Sequence, residues 1–162
     1  MNLTAAQTTE ITRLSGLSNR LIAAGMLTQN QSHEAERQAR LPNRSLVRYL
    51  IDTLNVETKA LAEIASAEYG IPVFDVSAMN RELLPDHPID SDMMIKHHAV
   101  PLFKRGNRLF VAISDPMNLA ALNEFKFAVG MNTDAVLADD AALTQLIHDI
   151  AEGSSEIGRA HV

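Results

Sequence analysis

The hydrophobic period of this chain changes once, at Gly70, and that change limits the fold more than any other feature. Before it, apolar residues recur at helical spacing. Leu14, Leu17, Leu21 and Ala24 fall at i, i+3, i+7 and i+10, on one face of a helix that opens near Arg13 and that Gly25 can cap. Thr28 with Gln31 three residues on is a capping box, predicting a second helix over residues 29–40 that Pro42 ends. Leu46, Leu50, Ile51 and Leu54 stripe a third helix. Leu61, Ile64, Ala65 and Glu68 lie along a fourth that stops at Gly70. After Gly70 the apolar runs are short. Residues 71–74 read as an edge strand, confined to the edge by Pro72. Residues 99–104 and 108–114 form two strands around Arg105, Gly106 and Asn107, a hairpin loop with glycine where a positive φ is needed. Residues 133–138 are a further strand. Short helices are predicted over residues 79–85 and 90–98, and longer ones from Asn118 to Gly130 and from Asp139 to about Ile150.

This order of elements predicts an α+β fold: a four-helix unit, then a small sheet with helices packed on one face. The expected domains are a polar lead-in over residues 1–12, a helical subdomain over 13–70, an α+β subdomain over 71–150, and a patternless tail over 151–162. The tail reads as a linker or a cloning-vector remnant. Within the helical part, a shift of 29 residues lays Leu17 on Leu46, Leu21 on Leu50, Ile22 on Ile51 and Leu27 on Val56. The layout is helix-turn-helix, used twice. The second copy places Leu54 where the first has its turn glycine, Gly25.

Composition narrows the function classes. Aromatic residues are 4% of the 162, so the core must be aliphatic, and the absence of cysteine excludes disulfides, thiolate zinc sites and a thiol nucleophile. No apolar run reaches the roughly 18–20 residues that span a bilayer, and no secretory signal pattern opens the chain. The net charge is −6, and it is uneven. Residues 1–70 hold seven acidic and seven basic residues, residues 71–150 eleven and six, residues 151–162 two and one. Such a chain is a poor ligand for nucleic acid. Arg37, Arg40, Arg44 and Arg48 cluster. They read either as a solvated helix face paired with Glu34 and Glu36, or as a surface for an acidic partner or a phosphate.

Catalytic patterns are missing. None of the seven glycines belongs to a phosphate-binding GxxxxGK[ST] or GxGxxG loop. Ser114, followed by Asp115 and Pro116, reads as a strand-ending turn without a nucleophile elbow. His97 and His98 are adjacent, which points their rings about 100° apart on a helix, a poor chelating pair. Asp139 and Asp140 sit at a helix start, where the dipole favours negative charge. No catalytic, cofactor or metal residues are assigned.

One stretch carries a family resemblance. Residues 97–116, HHAVPLFKRGNRLFVAISDP, are similar to the signature of the N-terminal domain of type II/IV secretion ATPases. Gly70, Ile71 and Pro72, with the pattern from Leu17 to Leu27, narrow the resemblance to the PilB-like type IV pilus assembly (extension) ATPases. It covers residues 13–150. The resemblance implies a regulatory and docking module of a hexameric motor. The ATP and magnesium sites would lie in C-terminal domains outside these residues. It also implies a place at the cytoplasmic face of the inner membrane, contact with pilus platform proteins through the hexamer, and recognition by a PilZ-type adaptor with a cyclic di-GMP receptor behind it.

In one branch of this family the helical repeat itself binds cyclic di-GMP. The motif opens with Arg-Leu-Gly, ends in Gln and occurs twice. Here the first copy reads Gly16, Leu17, Ser18 with Ala39 at the Gln position, and the second Ser45, Leu46, Val47 with Glu68. The arginines, opening glycines and glutamines are all replaced, and Glu68 adds a repulsive charge, so direct binding is expected to be lost. A protein partner is instead expected on the first two helices. Leu17, Leu21, Ile22, Met26 and Leu27 form an apolar surface wider than one face, with Arg20 and Arg37 as its polar rim. The facing helix offers Ser32 and Glu36 where leucines would cover it. The alternative is that residues 71–150 bury this surface. Since no phosphate-binding loop is present, the chain is expected to neither bind ATP tightly nor hydrolyse it. Phosphate release scaling with protein concentration would contradict this.

Overall fold

A computed structural model describes residues 14–79, 84 and 88–160, with side chains through residue 153. The lead-in, Arg13, and most of the helix expected over residues 79–85 lie outside the described residues. The chain divides into two compact units, Met1–Glu68 and Tyr69–Val162.

The first unit is helical: α1 (Gly16–Ala23), α2 (Gln29–Ala39), α3 (Leu46–Asp52) and α4 (Thr58–Tyr69), whose last residue crosses the division. α1 starts later than its leucine spacing suggests, because Ser15 caps it and accepts from the Ser18 N–H. The capping box of α2 forms as expected: Thr28 accepts from the Gln31 N–H at 3.1 Å, and Gln31 accepts from the Thr28 N–H at 2.9 Å. Burial follows the 29-residue repeat at three of its four matched pairs; Leu17 is buried but Leu46 is half-buried. Leu21 and Leu50 are wholly buried, Leu27 and Val56 nearly so, and Ile22 and Ile51 are both half-buried. Each fully buried leucine contributes roughly 1.5–3 kcal/mol. The turns also correspond, with one correction. Gly25 takes φ +74°, and in the second copy the left-handed residue is Asn55 at φ +53°, one position after the Leu54 that the shift predicts. Asparagine tolerates this conformation better than other side chains.

A carboxylate joins the first two helices. Glu36 accepts from the Ser15 N–H at 3.0 Å and from the Ser18 hydroxyl at 2.7 Å. It thereby closes the open N-terminus of α1 from the side of α2. Burial pushes its carboxyl up, but hydrogen bonding from Ser15 and Ser18 and the nearby charge of Arg40 outweigh that and hold it below its ordinary 4.5.

The second unit opens with a single 3-10 turn, Val76–Ala78, and continues α5 (Ser91–His97), β1 (Ala99–Arg105), β2 (Arg108–Ile113), α6 (Leu119–Val129), β3 (Asn132–Leu137) and α7 (Asp140–Ala160). The sheet order is β1-β2-β3, with the first pair antiparallel and the second parallel. Pro101, which has no N–H for the ladder, sits at a register shift between Pro101 and Phe103. The strand expected over residues 71–74 shrinks to one bridge, Val73 to Leu137. Around it the Phe74 N–H reaches Leu137 O and the Leu137 N–H reaches Pro72 O, both at 2.8 Å. Pro72 cannot donate, so the pairing extends no further. The tail is also corrected: α7 continues past Ile150 to Ala160, through a composition that includes Ala151, Glu152 and Glu156. Gly153 costs about 1 kcal/mol there without breaking the helix.

The core of this unit is Val100, Leu102, Leu109, Val111, Ile113, Phe125, Leu137 and Leu143, all wholly buried. Beside it lies a buried polar cluster. The Asp140 Oδ1 accepts from the Ser114 hydroxyl at 2.7 Å and lies 2.8 Å from His98 Nε2. His98 caps α5 in the left-handed conformation, at φ +49°. The adjacent His97 instead packs edge-on against Phe125, and its carbonyl accepts from the Asn118 side chain.

Two outcomes follow. Since Glu36 is depressed on folding, its stabilisation is complete above the unfolded value near 4.5 and is lost as pH falls through the lower folded value. Glu36→Gln should therefore flatten the acid limb of the stability–pH curve of α1–α4, read by denaturant melts from pH 3 to 7; an unchanged limb contradicts the assignment. Asp140→Ala strands the buried Ser114 hydroxyl and should cost about 1–3 kcal/mol in urea unfolding.

Candidate docking surface on the helical unit

The seven residues expected to form a partner surface separate by depth. Leu17, Leu21 and Leu27 are buried in the helical unit, at 1%, 0% and 6% exposure. They are core and offer a partner nothing, which corrects their place in the expected patch. The reason lies in the second copy of the repeat: Val47, Leu50, Val56, Leu61 and Ala65 are buried in the same unit, so the core does not rest on α2 alone. Ser32 is buried too, and its hydroxyl has no hydrogen-bond partner among the described residues. What remains accessible is a smaller surface. Ile22 and Met26 are half-buried, and Arg20 and Arg37 are exposed. Two apolar side chains and two cations of the seven thus remain accessible.

Neither cation is unpaired. Arg20 Nε lies 2.5 Å from the Glu68 carboxylate, and Arg37 pairs with Glu34 one turn earlier on α2. Arg48 pairs with Asp52 at 3.4 Å, and Arg40 acts on Glu36 through its charge. Arg37 and Arg48 are thus paired with neighbouring acids and Arg40 faces one, while Arg44 makes no ion pair among the described residues. Exposed pairs of this kind are worth little in stability, so they can be exchanged for a partner's carboxylates at small cost.

The Arg20–Glu68 pair also changes the meaning of Glu68. The fold brings the opening of the first repeat copy to the end of the second. A Cβ added at Gly16 would overlap the Glu68 carboxylate, so glycine is what lets that carboxylate approach α1. Glu68 does not stand as an isolated repulsive charge; it is bound to Arg20 and fills the space over Gly16. Two positions on, Ser18 is buried and spends its hydroxyl on Glu36. Of the positions compared with an anion-binding motif, one therefore holds a carboxylate, Glu68, and another, Ser18, is bonded to a second, Glu36. Sequence reasoning missed both pairings because they link residues 18 and 48 positions apart. The Ser15–Ser18 spacing, an N-cap pattern, was the signal that α1 opens at Gly16.

Among the described residues no group of three His, Asp or Glu could hold a metal ion, and no helix is long and apolar enough to cross a membrane.

Comparison with known proteins agrees with the resemblance carried by residues 97–116. The chain is 35% identical over 144 residues to the type IV pilus assembly ATPase PilB of Pseudomonas aeruginosa, covering 89% of this chain and 25% of that protein. It is 29% identical over 137 residues to PilB of Acinetobacter baylyi, covering 85% and 24%. The chain spans about a quarter of the length of these curated relatives. Two solved structures share the fold at 19% identity. One is MshE with cdg, with a TM-score of 0.62, covering 84% of this chain and 99% of that one. The other is the N-terminal domain of XpsE, with a TM-score of 0.63, covering 91% and 97%. The MshEN domain family matches residues 69–156, more than half of the 162 residues and most of the α/β unit. The chain belongs to the MshEN domain family.

Proposed function

We propose that this chain is the regulatory docking domain of a type IV pilus assembly ATPase, and that its signal arrives through a protein partner. The partner we infer is a PilZ-type adaptor, with a cyclic di-GMP receptor behind it. The motor's ATP and magnesium sites would lie in the remaining length of the protein, and the assembled motor would work on pilus platform proteins at the cytoplasmic face of the inner membrane. On this reading the chain itself is not an enzyme, and its output is control of pilus extension and twitching motility.

The observation that carries the reading is the Arg20–Glu68 pair over Gly16. A phosphate diester needs donors and positive charge. The motif positions here supply a carboxylate, Glu68, already bound to Arg20, and a serine, Ser18, whose hydroxyl is spent on a second carboxylate, Glu36. A ligand of two phosphates would have to displace Glu68 from Arg20 and would meet the charge of Glu36 at Ser18. A protein surface has no such requirement. Ile22 and Met26 offer it adaptable apolar contact, and Arg20 and Arg37 offer it exchangeable ion pairs.

A second reading is direct sensing of cyclic di-GMP. It is favoured by the fold shared with MshE, whose solved structure holds cdg. Titration calorimetry separates the two. On the first reading cyclic di-GMP gives no saturable heat in the micromolar range; saturable heat favours the second. Gly16→Arg and Ser45→Arg together with Ala39→Gln and Glu68→Gln would restore weak binding, because the neutral amide removes the charge at position 68 and its side chain can swing off the new Cβ at position 16. For the adaptor, Ile22→Glu or Met26→Glu should abolish capture of a purified PilZ-type protein while leaving the circular-dichroism melt nearly unchanged. Folded variants that still bind would move the docking site elsewhere.

A further inference from the structure

The α/β unit carries a surface that the reading above does not use. α6 presents Leu119, Asn123 and Phe127 at i, i+4 and i+8, one stripe along the helix. Leu119 is 57% exposed and Phe127 is 91% exposed. A phenylalanine so exposed buries almost none of its ring, and nothing in the packing of this unit accounts for it. Phe127 borders a groove of about 680 Å³ that runs from the tip of the β1–β2 hairpin, at Asn107, to Gly130, Met131 and Asn132. A second hollow of about 390 Å³ follows on past Leu119 and Lys126 to Arg108.

The charge around this groove is opposite to that of the unit. Residues 71–150 hold eleven acidic and six basic residues, yet four of the six, Lys104, Arg105, Arg108 and Lys126, gather at this end. Among the described residues Lys104, Arg105 and Lys126 make no ion pair or hydrogen bond through their side chains, whereas Arg108 contacts Asp134 at 2.9 and 3.1 Å. Arg105 and Arg108 are direct cross-strand partners, so like charges face each other across the hairpin. Asp134, bound to Arg108, offsets part of that repulsion, and Arg105 keeps its charge unpaired among the described residues. The groove thus combines unspent positive charge, asparagine amides that can bond a peptide backbone, and one exposed aromatic ring.

We propose that this groove docks an acidic segment of a partner protein, one in which carboxylates flank an apolar side chain. The apolar side chain packs on Phe127, and the carboxylates meet Lys126 and the Arg105–Arg108 pair. A short segment fits better than a membrane or a nucleic acid. Those present extended anionic faces, and Glu124 and Asp134 interrupt the basic surface at once, in a chain of net charge −6. The proposal is independent of the adaptor reading, since it concerns other residues.

The test is a titration of the isotope-labelled full chain, followed by amide NMR, with a capped hexapeptide carrying two glutamates on either side of a Leu–Phe pair. The expected result is saturable shifts at Asn107, Asn123, Phe127 and Asn132. The glutamine version of the peptide should bind about tenfold more weakly, and Phe127→Ala should weaken the acidic peptide about fivefold. Lys126→Glu should remove the shifts, and both variants should keep their melting temperatures because both positions are exposed. Were a variant to unfold, the comparison of the two peptides on the unmodified chain still decides. The proposal is overturned if the shifts are absent or lie elsewhere, or if the glutamine peptide binds equally well. It is also overturned if oligothymidylate or phosphatidylglycerol vesicles produce the same shifts at lower concentration than the peptide does.

Discussion

One buried carboxylate holds the α/β unit in register with itself. Asp140 opens α7, accepts the Ser114 hydroxyl from the end of β2, and meets the ring of His98 from the junction of α5 and β1. Three chain segments, separated by 26 and 42 positions, thus converge on one oxygen. A carboxylate withdrawn from water is costly unless it is bonded. Its bonds to Ser114 and His98 form together only when β2, α5 and α7 are all in place. Leucines around it would tolerate small displacements, but a charged acceptor with two oriented partners does not. The MshEN match takes in all three of these residues, from the first strand to the last helix.

The helical unit is organised differently. Its core is a repeat, to which the first copy supplies Leu17, Leu21 and Leu27 and the second Val47, Leu50, Val56 and Leu61. Its polar groups, by contrast, are asymmetric. Glu36 serves the start of α1, and Glu68 reaches over Gly16 to Arg20, whereas the 29-residue shift lays these two carboxylates on Ala65 and Ala39. The apolar half of the duplication is retained while the polar half has diverged. The proposed protein surface rests on that asymmetry.

How much of this was legible beforehand depends on the range of the interaction. Thr28–Gln31, Asn118 at the head of α6 and the hairpin around Gly106 are local, and their residue types announce them. The repeat was legible because leucine burial has a period. The role of Glu36 was not, since a glutamate at a leucine position looks like a packing fault until Ser15 and Ser18 are brought against it. Asn55 escaped because the shift pointed to Leu54, one residue early. The 71–74 strand was over-read: four apolar residues in a row look like a ladder, but Pro72 allows only one bridge. The tail was under-read, because helix propensity without an apolar stripe carries little signal. The depth of Leu17, Leu21 and Leu27 was missed for a related reason. The expected patch counted only the facing helix α2, whereas α3 and α4 complete the core.

The parallel pairing of β2 with β3 has a consequence for how the chain reaches this state. β1 and β2 are joined by a two-residue turn, so their contacts close within microseconds of collapse. β3 cannot join them until the residues between, including all of α6, have formed a crossover, because a parallel partner must return to the same end of the sheet. Loop closure is thus spent before the third strand is rewarded. During that interval the unpaired side of β2 stands open, with Leu109, Val111 and Ile113 uncovered. The hairpin is the part of this molecule that forms early and waits, and α6 sets the pace at which its open edge is sealed.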